Sequence, residues 1–148
     1  IAQSRKALRT SPNNPQAHAC LWLVFHLKRQ YDEALDGAKA FYAALELTPV
    51  VEAMSSGYET GGYPGAMRAA AETLAAISQQ VYIGPCFIAY PYAAAGEAEK
   101  ALEWLEKGFE IRDLNMPYMA EPIFVDLLGE EPRYQELLRK MNLEPAVR

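Results

Sequence analysis

Apolar residues recur at steps of three and four along most of this chain, which is the period of helices that bury one face. The segment from Gly96 to Asp113, GEAEKALEWLEKGFEIRD, shows the pattern best. Ala98, Ala101, Leu102, Leu105, Phe109 and Ile111 mostly share one face, and Glu99, Lys100, Glu103, Glu106 and Lys107 take the other. Glu103 and Lys107 form a favourable i,i+4 pair. Gly96 supplies the permissive backbone of a tight turn before the helix, and Ala101 admits a neighbouring helix at short range. A helix of this length is marginal alone in water, so it must stack on other helices.

The same period places the remaining elements. Ile1 to Thr10 reads as a short helix stopped by Ser11-Pro12-Asn13-Asn14-Pro15. Pro15 opens a helix expected to reach about Arg29, and a second runs from Tyr31 to Leu47 before Pro49 ends it. In the stretch from Val50 to Gln80, Ser55, Ser56 and Gly57 have low helix propensity and predict a short, irregular first helix, followed by an Ala-rich helix from about Pro64 to Ser78. Gly84-Pro85 looks like a helix start, and Pro91 should kink that helix by removing a backbone bond. Glu121-Pro122 and Glu131-Pro132 each open a further amphipathic run.

Specific residues at fixed offsets add a family resemblance. NNP…QYDEAL…AALELTP, with Leu21, Phe25, Ala34, Phe41, Ala44 and Pro49, resembles a tetratricopeptide repeat, whose period is about 34 residues. Ala34, Ala66 and Ala101 stand 32 and 35 residues apart, and Ile88, Ala89, Tyr92, Leu105 and Gly108 also fall on pattern positions. Ala7 and Pro12 stand like Ala44 and Pro49. The resemblance implies an all-α, right-handed superhelix of stacked antiparallel helix pairs. It would comprise the tail of a preceding repeat (1–12), repeats at 15–49, 50–80 (degenerate) and 82–113, and C-terminal capping helices at 121–142. Two departures stand out. Trp22 occupies the place of a small glycine and should push the paired helices apart, and three extra residues between Ala34 and Phe41 lengthen the second helix. The run GEAEKALEWLEKGFEIRD, then EPIFVDLL, then EPRYQELLRKMNL is similar to the C-terminal end of bacterial regulators in which such arrays follow a winged-helix, kinase or cyclase domain. This implies a fragment of a longer protein.

Carried over from the family, the residues facing the concave groove are Gln16, Ala19, Leu23, His26 and Leu27 in the first repeat. Val51, Ser55, Tyr58 and Glu59 follow in the second, and Ile83, Cys86 and Tyr90 in the third. That surface is apolar and aromatic. It lacks the Lys, Arg and Asn that clamp a terminal carboxylate, so a peptide with apolar anchors fits better, with Tyr58 and Tyr90 as rigid contacts. Tyrosines at helical spacing fit packing between repeats equally well. His26 reads as a pH-responsive groove contact or as a plain polar one.

Charge and chemistry narrow the function further. A net charge of −5 and a pI near 5.1 argue against nucleic acid as the main partner, because a duplex reader needs a basic stripe. No apolar run is long enough for a membrane span and no leader precedes the first helix, so a cytoplasmic protein without membrane attachment is expected. Cys20 and Cys86 read as buried small hydrophobes, and His18 and His26 lie two helical turns apart, too far to share a metal. No phosphate loop, nucleophile elbow or His-Glu metal motif is present; Gly61-Gly62-Tyr63-Pro64-Gly65 lacks the Lys and Ser/Thr of a phosphate cradle and reads as a turn. The expectation is therefore a non-enzymatic, cofactor-free module for a protein or peptide partner. The alternatives are a small-molecule sensor with a pocket near Pro91, and a self-associating domain forming a homodimer through its N-terminal repeat face.

Overall fold

All regular elements among the described residues, 1–145, of the computed structural model are helical. In order they are α1 (Ala2–Thr10), α2 (Pro15–Leu27), α3 (Tyr31–Ala44), α4 (Thr48–Ile77), α5 (Pro85–Ala94), α6 (Ala98–Ile111), a 3-10 turn (Met116–Ala120), α7 (Pro122–Leu128) and α8 (Pro132–Met141). They form two compact units, Ile1–Ala70 and the residues from Ala71 onward, with the division falling inside α4. No helix among the described residues is long and apolar enough to cross a membrane.

In the first unit, α2 begins where Asn14 accepts the Ala17 N–H (3.1 Å) and Pro15 fills the first turn. It ends at Leu27, short of the expected Arg29, because Arg29 itself adopts the left-handed conformation (φ 60°) and turns the chain. Glu46 (φ 60°) closes α3 in the same way at Ala44, three residues before Leu47. The short connection makes α2 and α3 antiparallel neighbours, packed through Ala17, Trp22, Ala34, Leu35, Ala38 and Tyr42. Trp22 does not spread them. A Cβ on Gly37 of α3 would lie 3.0 Å from the Trp22 backbone nitrogen, so the missing small residue has been supplied by the partner helix.

The continuous helix α4 is broken at Gly62 (φ 63°, ψ −152°), a backbone state that side-chain-bearing residues avoid, and Pro64 follows. This leaves arms 48–61 and 63–77. The first arm is helical throughout, contrary to the irregular segment that Ser55, Ser56 and Gly57 predict. Its low propensity is offset by packing: a Cβ on Gly57 would come within 2.5 Å of the Gly65 carbonyl oxygen, so glycine at both places lets the arms touch backbone to backbone. Val50 and Met54 of the first arm and Tyr63, Ala66, Met67 and Ala70 of the second are buried.

In the second unit, α5 starts at Gly84-Pro85 and runs through the buried Pro91 as one helix. Gly96 (φ 79°) turns the chain into α6, whose Ala101, Leu102, Leu105 and Gly108 are buried while Glu99, Lys100, Glu103 and Lys107 are exposed. The 3-10 turn brings Met116 onto Gly108, where any Cβ would collide with its sulfur. Helices α7 and α8 open at Glu121-Pro122 and Glu131-Pro132; α7 packs on α5 and α8 on α6. The Tyr134 hydroxyl donates to the Met119 carbonyl (2.6 Å) and fixes α8 to the 3-10 turn.

Candidate functional site

A rack of four rings occupies the first unit. Trp22 and His26, one turn apart on α2, both reach Tyr63, which the Gly62 break delivers to the start of the second arm of α4. The Trp22 Nε1–H donates to the Tyr63 hydroxyl (3.0 Å), and His26 Nδ1 lies 2.9 Å from the same oxygen. The Tyr63 oxygen thus accepts from the indole and shares a second hydrogen bond with the His26 ring. Burial pushes the Tyr63 phenol far above its ordinary value; the Trp22 hydrogen bond opposes the shift and Tyr31 adds to it. The phenol therefore remains a donor at any physiological pH.

Tyr31, at the first position of α3, stacks on Tyr63 with centroids 4.9 Å apart and planes 23° apart, and meets the edge of His26 at 6.2 Å. Tyr63 is 5% exposed whereas Tyr31 is 41% exposed. The result is one open aromatic face supported from behind by a hydrogen-bonded ring.

Of the residues expected to face a partner, Gln16 and Leu27 are exposed and Ala19, Leu23 and His26 half-buried, all at helical spacing on α2. On the first arm of α4, Val51 is half-buried while Ser55, Tyr58 and Glu59 are exposed. In the second unit, Ile83 is half-buried ahead of α5, and Tyr90 packs edge-on against Phe124 of α7 (5.7 Å) and hydrogen-bonds Glu121. Cys86 is the misfit: at 2% exposure it offers a partner no surface. Its burial comes from the first turn of α5, where the Cys86 N–H donates to Asp113 Oδ2 (2.9 Å). Burial, reinforced by the Asp113 and Glu121 carboxylates, pushes its thiol up to about 12, an unreactive state. Cys20, expected inside, is only half-buried.

Asp113 is itself a buried carboxylate, 6% exposed. Its second oxygen accepts the Asn115 N–H (3.0 Å), and both oxygens lie against Gly84, where a Cβ would come within 2.9 Å. Gly84 has no side chain with which to cap α5, and Asp113 caps it from across the fold. Two backbone donors account for the charge, so the arrangement is structural.

Periodicity along one helix does not single out Tyr31 and Tyr63, since they lie on different elements. A signal for them does exist: each stands three residues before an alanine, Ala34 and Ala66, on which the resemblance to a repeat rests. Among the described residues no three His, Cys, Asp or Glu side chains gather in a way that could hold a metal ion. Compared with known proteins, the sequence matches no family model, no curated protein and no solved structure.

Proposed function

We propose that this chain is a tetratricopeptide-like interaction module that binds a peptide segment of a partner protein along the Leu23–Leu27 face of α2 and the Tyr31 rack. The observation that carries this reading is the half-exposed Tyr31 ring held on a buried, doubly hydrogen-bonded Tyr63. Aromatic anchors contribute most to binding when they are rigid before the partner arrives, because little side-chain entropy remains to be lost. His26 meets the ring, and Leu23 and Leu27 share its face of α2 at helical spacing, an apolar, weakly polar surface suited to an apolar or aromatic side chain. Within a cytoplasmic bacterial regulator, such a module would recruit or sense a protein partner and catalyse nothing itself.

The test is selection of a displayed random-peptide library on the wild-type chain and on Tyr31→Ala, with both variants checked for native helicity. The expected result is a consensus with a large apolar side chain on wild type and at least about tenfold weaker binding of those peptides to Tyr31→Ala. Selection without a consensus, or peptides indifferent to the substitution, would overturn the proposal.

A further inference from the structure

The rack contains one side chain of a type that changes charge near neutrality. His26 sits half-buried in the last turn of α2, with its Nδ1 2.9 Å from the Tyr63 hydroxyl. The hydroxyl's other partner, Trp22 Nε1 at 3.0 Å, carries a proton and never accepts one. The Tyr63 oxygen can receive two hydrogen bonds, but its own proton still needs an acceptor. A neutral imidazole has a bare nitrogen to offer, and an imidazolium has none. Tyr63 is 5% exposed, so water does not take that acceptor's place.

Two phenol rings face His26, Tyr63 from the second arm of α4 and Tyr31 from the start of α3. The charged side chains of these elements that lie nearest along the chain, Lys28, Arg29, Asp32, Glu33, Glu59 and Arg68, are all exposed, where water and salt screen them. The Tyr63 proton is therefore the contact that distinguishes the two charge states of His26. The carbonyls at the end of α2 favour a cation by about two- to fivefold, whereas an acceptor lost to a buried hydroxyl counts for about five- to hundredfold. The neutral ring is the better fit.

We infer that His26 makes the rack acid-sensitive: protonating its ring frees the Tyr63 hydroxyl and loosens the support under Tyr31, so the aromatic face weakens as pH falls. The consequence for a partner rests on the reading of Tyr31 as its anchor; the loosening itself does not. A folded unit that resists a proton accepted freely by the unfolded chain has its full stability above the ordinary imidazole range, about 6.5, and loses it as pH falls through that range. Titration of a free imidazole between pH 7.5 and 5.5 bounds the loss at about tenfold in the folding equilibrium constant, and about fivefold is expected.

The test is urea unfolding of the full chain at pH 7.5 and 5.5, followed by Trp22 fluorescence in a Trp104→Phe background. On acidification the parent should lose about fivefold more of its folding equilibrium constant than His26→Gln, whose amide offers an acceptor at either pH. Tyr63→Phe, with no hydroxyl to release, should resemble His26→Gln. His18 and the carboxylates are common to all three chains and cancel in the comparison. Peptides selected on the rack at pH 7.5 should bind the parent about fivefold more weakly at pH 5.5, and His26→Gln equally at both.

Equal losses in the parent and His26→Gln would overturn the inference. An undiminished loss in Tyr63→Phe would do the same, because it would trace the effect to burial of the imidazole rather than to the shared hydroxyl. Peptides that need Tyr31 yet bind the parent equally at both pH values would leave the rack as the binding face and sink this inference. The denaturation differences without any Tyr31-dependent peptide would uphold the loosening and sink the rack as a binding face.

Discussion

Replacing Tyr63 with Phe isolates the hydrogen bonds that hold the rack from the packing that surrounds it. The ring stays in place, so the stack under Tyr31 at 4.9 Å remains and no cavity opens. What disappears is the oxygen bonded to Trp22 Nε1 at 3.0 Å and to His26 Nδ1 at 2.9 Å. Trp22 is 1% exposed, so water does not replace the lost acceptor, and weakening a buried donor's bonding costs about 1–3 kcal/mol. His26 is half-buried and recovers much of its bond from solvent, adding about 0.5 kcal/mol. Tyr63→Phe should therefore destabilise the first unit by about 2 kcal/mol. Tyr63→Ala, which also empties the ring's volume, should cost about 3–5 kcal/mol. Urea titration followed by tryptophan fluorescence in a Trp104→Phe background reports on Trp22 alone, and so on this unit. A Tyr63→Phe midpoint within error of the parent, at unchanged m, would refute the assignment of the rack's rigidity to these bonds.

Two further outcomes follow from the second unit. Asp113→Ala removes the acceptor for two backbone N–H groups and should cost about 2–3 kcal/mol in chemical denaturation, while Asp113→Asn, which keeps one carbonyl oxygen, should lose about half as much; equal losses would show that charge rather than geometry caps α5. The Glu121 carboxyl is held above its ordinary value of 4.5 by burial, with the Tyr90 hydrogen bond opposing, so the folded state keeps its proton longer than the unfolded state does. The contribution is full below the unfolded value and is lost as pH rises through the folded one. Glu121→Gln should thus gain stability relative to wild type as pH is raised above 4.5, and a difference that stays flat with pH contradicts the burial argument.

The starts of four helices were legible in the sequence, as was the end of α1 at Thr10, but the ends of α2 and α3 fall two and three residues short of those expected. Pro15, Pro85, Pro122 and Pro132 each occupy a first turn, where proline's fixed φ and missing donor cost nothing, so the chain announces these helices locally. The closures fall instead on Arg29, Glu46, Arg112 and Asn142 in the left-handed conformation, and three of these four are charged residues that give no such signal. The α2 face bearing Leu23, His26 and Leu27 was named from the family resemblance, and the structure leaves these residues exposed or half-buried. The rack behind it was not legible, because Trp22 and Tyr63 lie 41 residues apart and meet only through the break at Gly62. Cys86 agrees with its reading as a buried small hydrophobe and not with its place in the groove, and its backbone N–H is held by Asp113, 27 residues away.

The two glycine contacts explain why propensity and family position both misled within the first unit. At Trp22 the repeat pattern requires a small residue, and its absence predicts spread helices; at Gly57 propensity predicts a frayed one. In both cases the quantity under constraint is the distance between two backbones, which either side of the contact can satisfy. Gly37 does so opposite Trp22, and Gly57 with Gly65 do so between the arms of α4. Moving the small residue to α3 has a consequence for the site, since it frees the α2 position for an indole whose N–H anchors Tyr63. A glycine at position 22 would preserve the close approach and leave the Tyr63 hydroxyl without its donor. The departure from the repeat pattern and the rigidity of the aromatic face are thus a single structural choice.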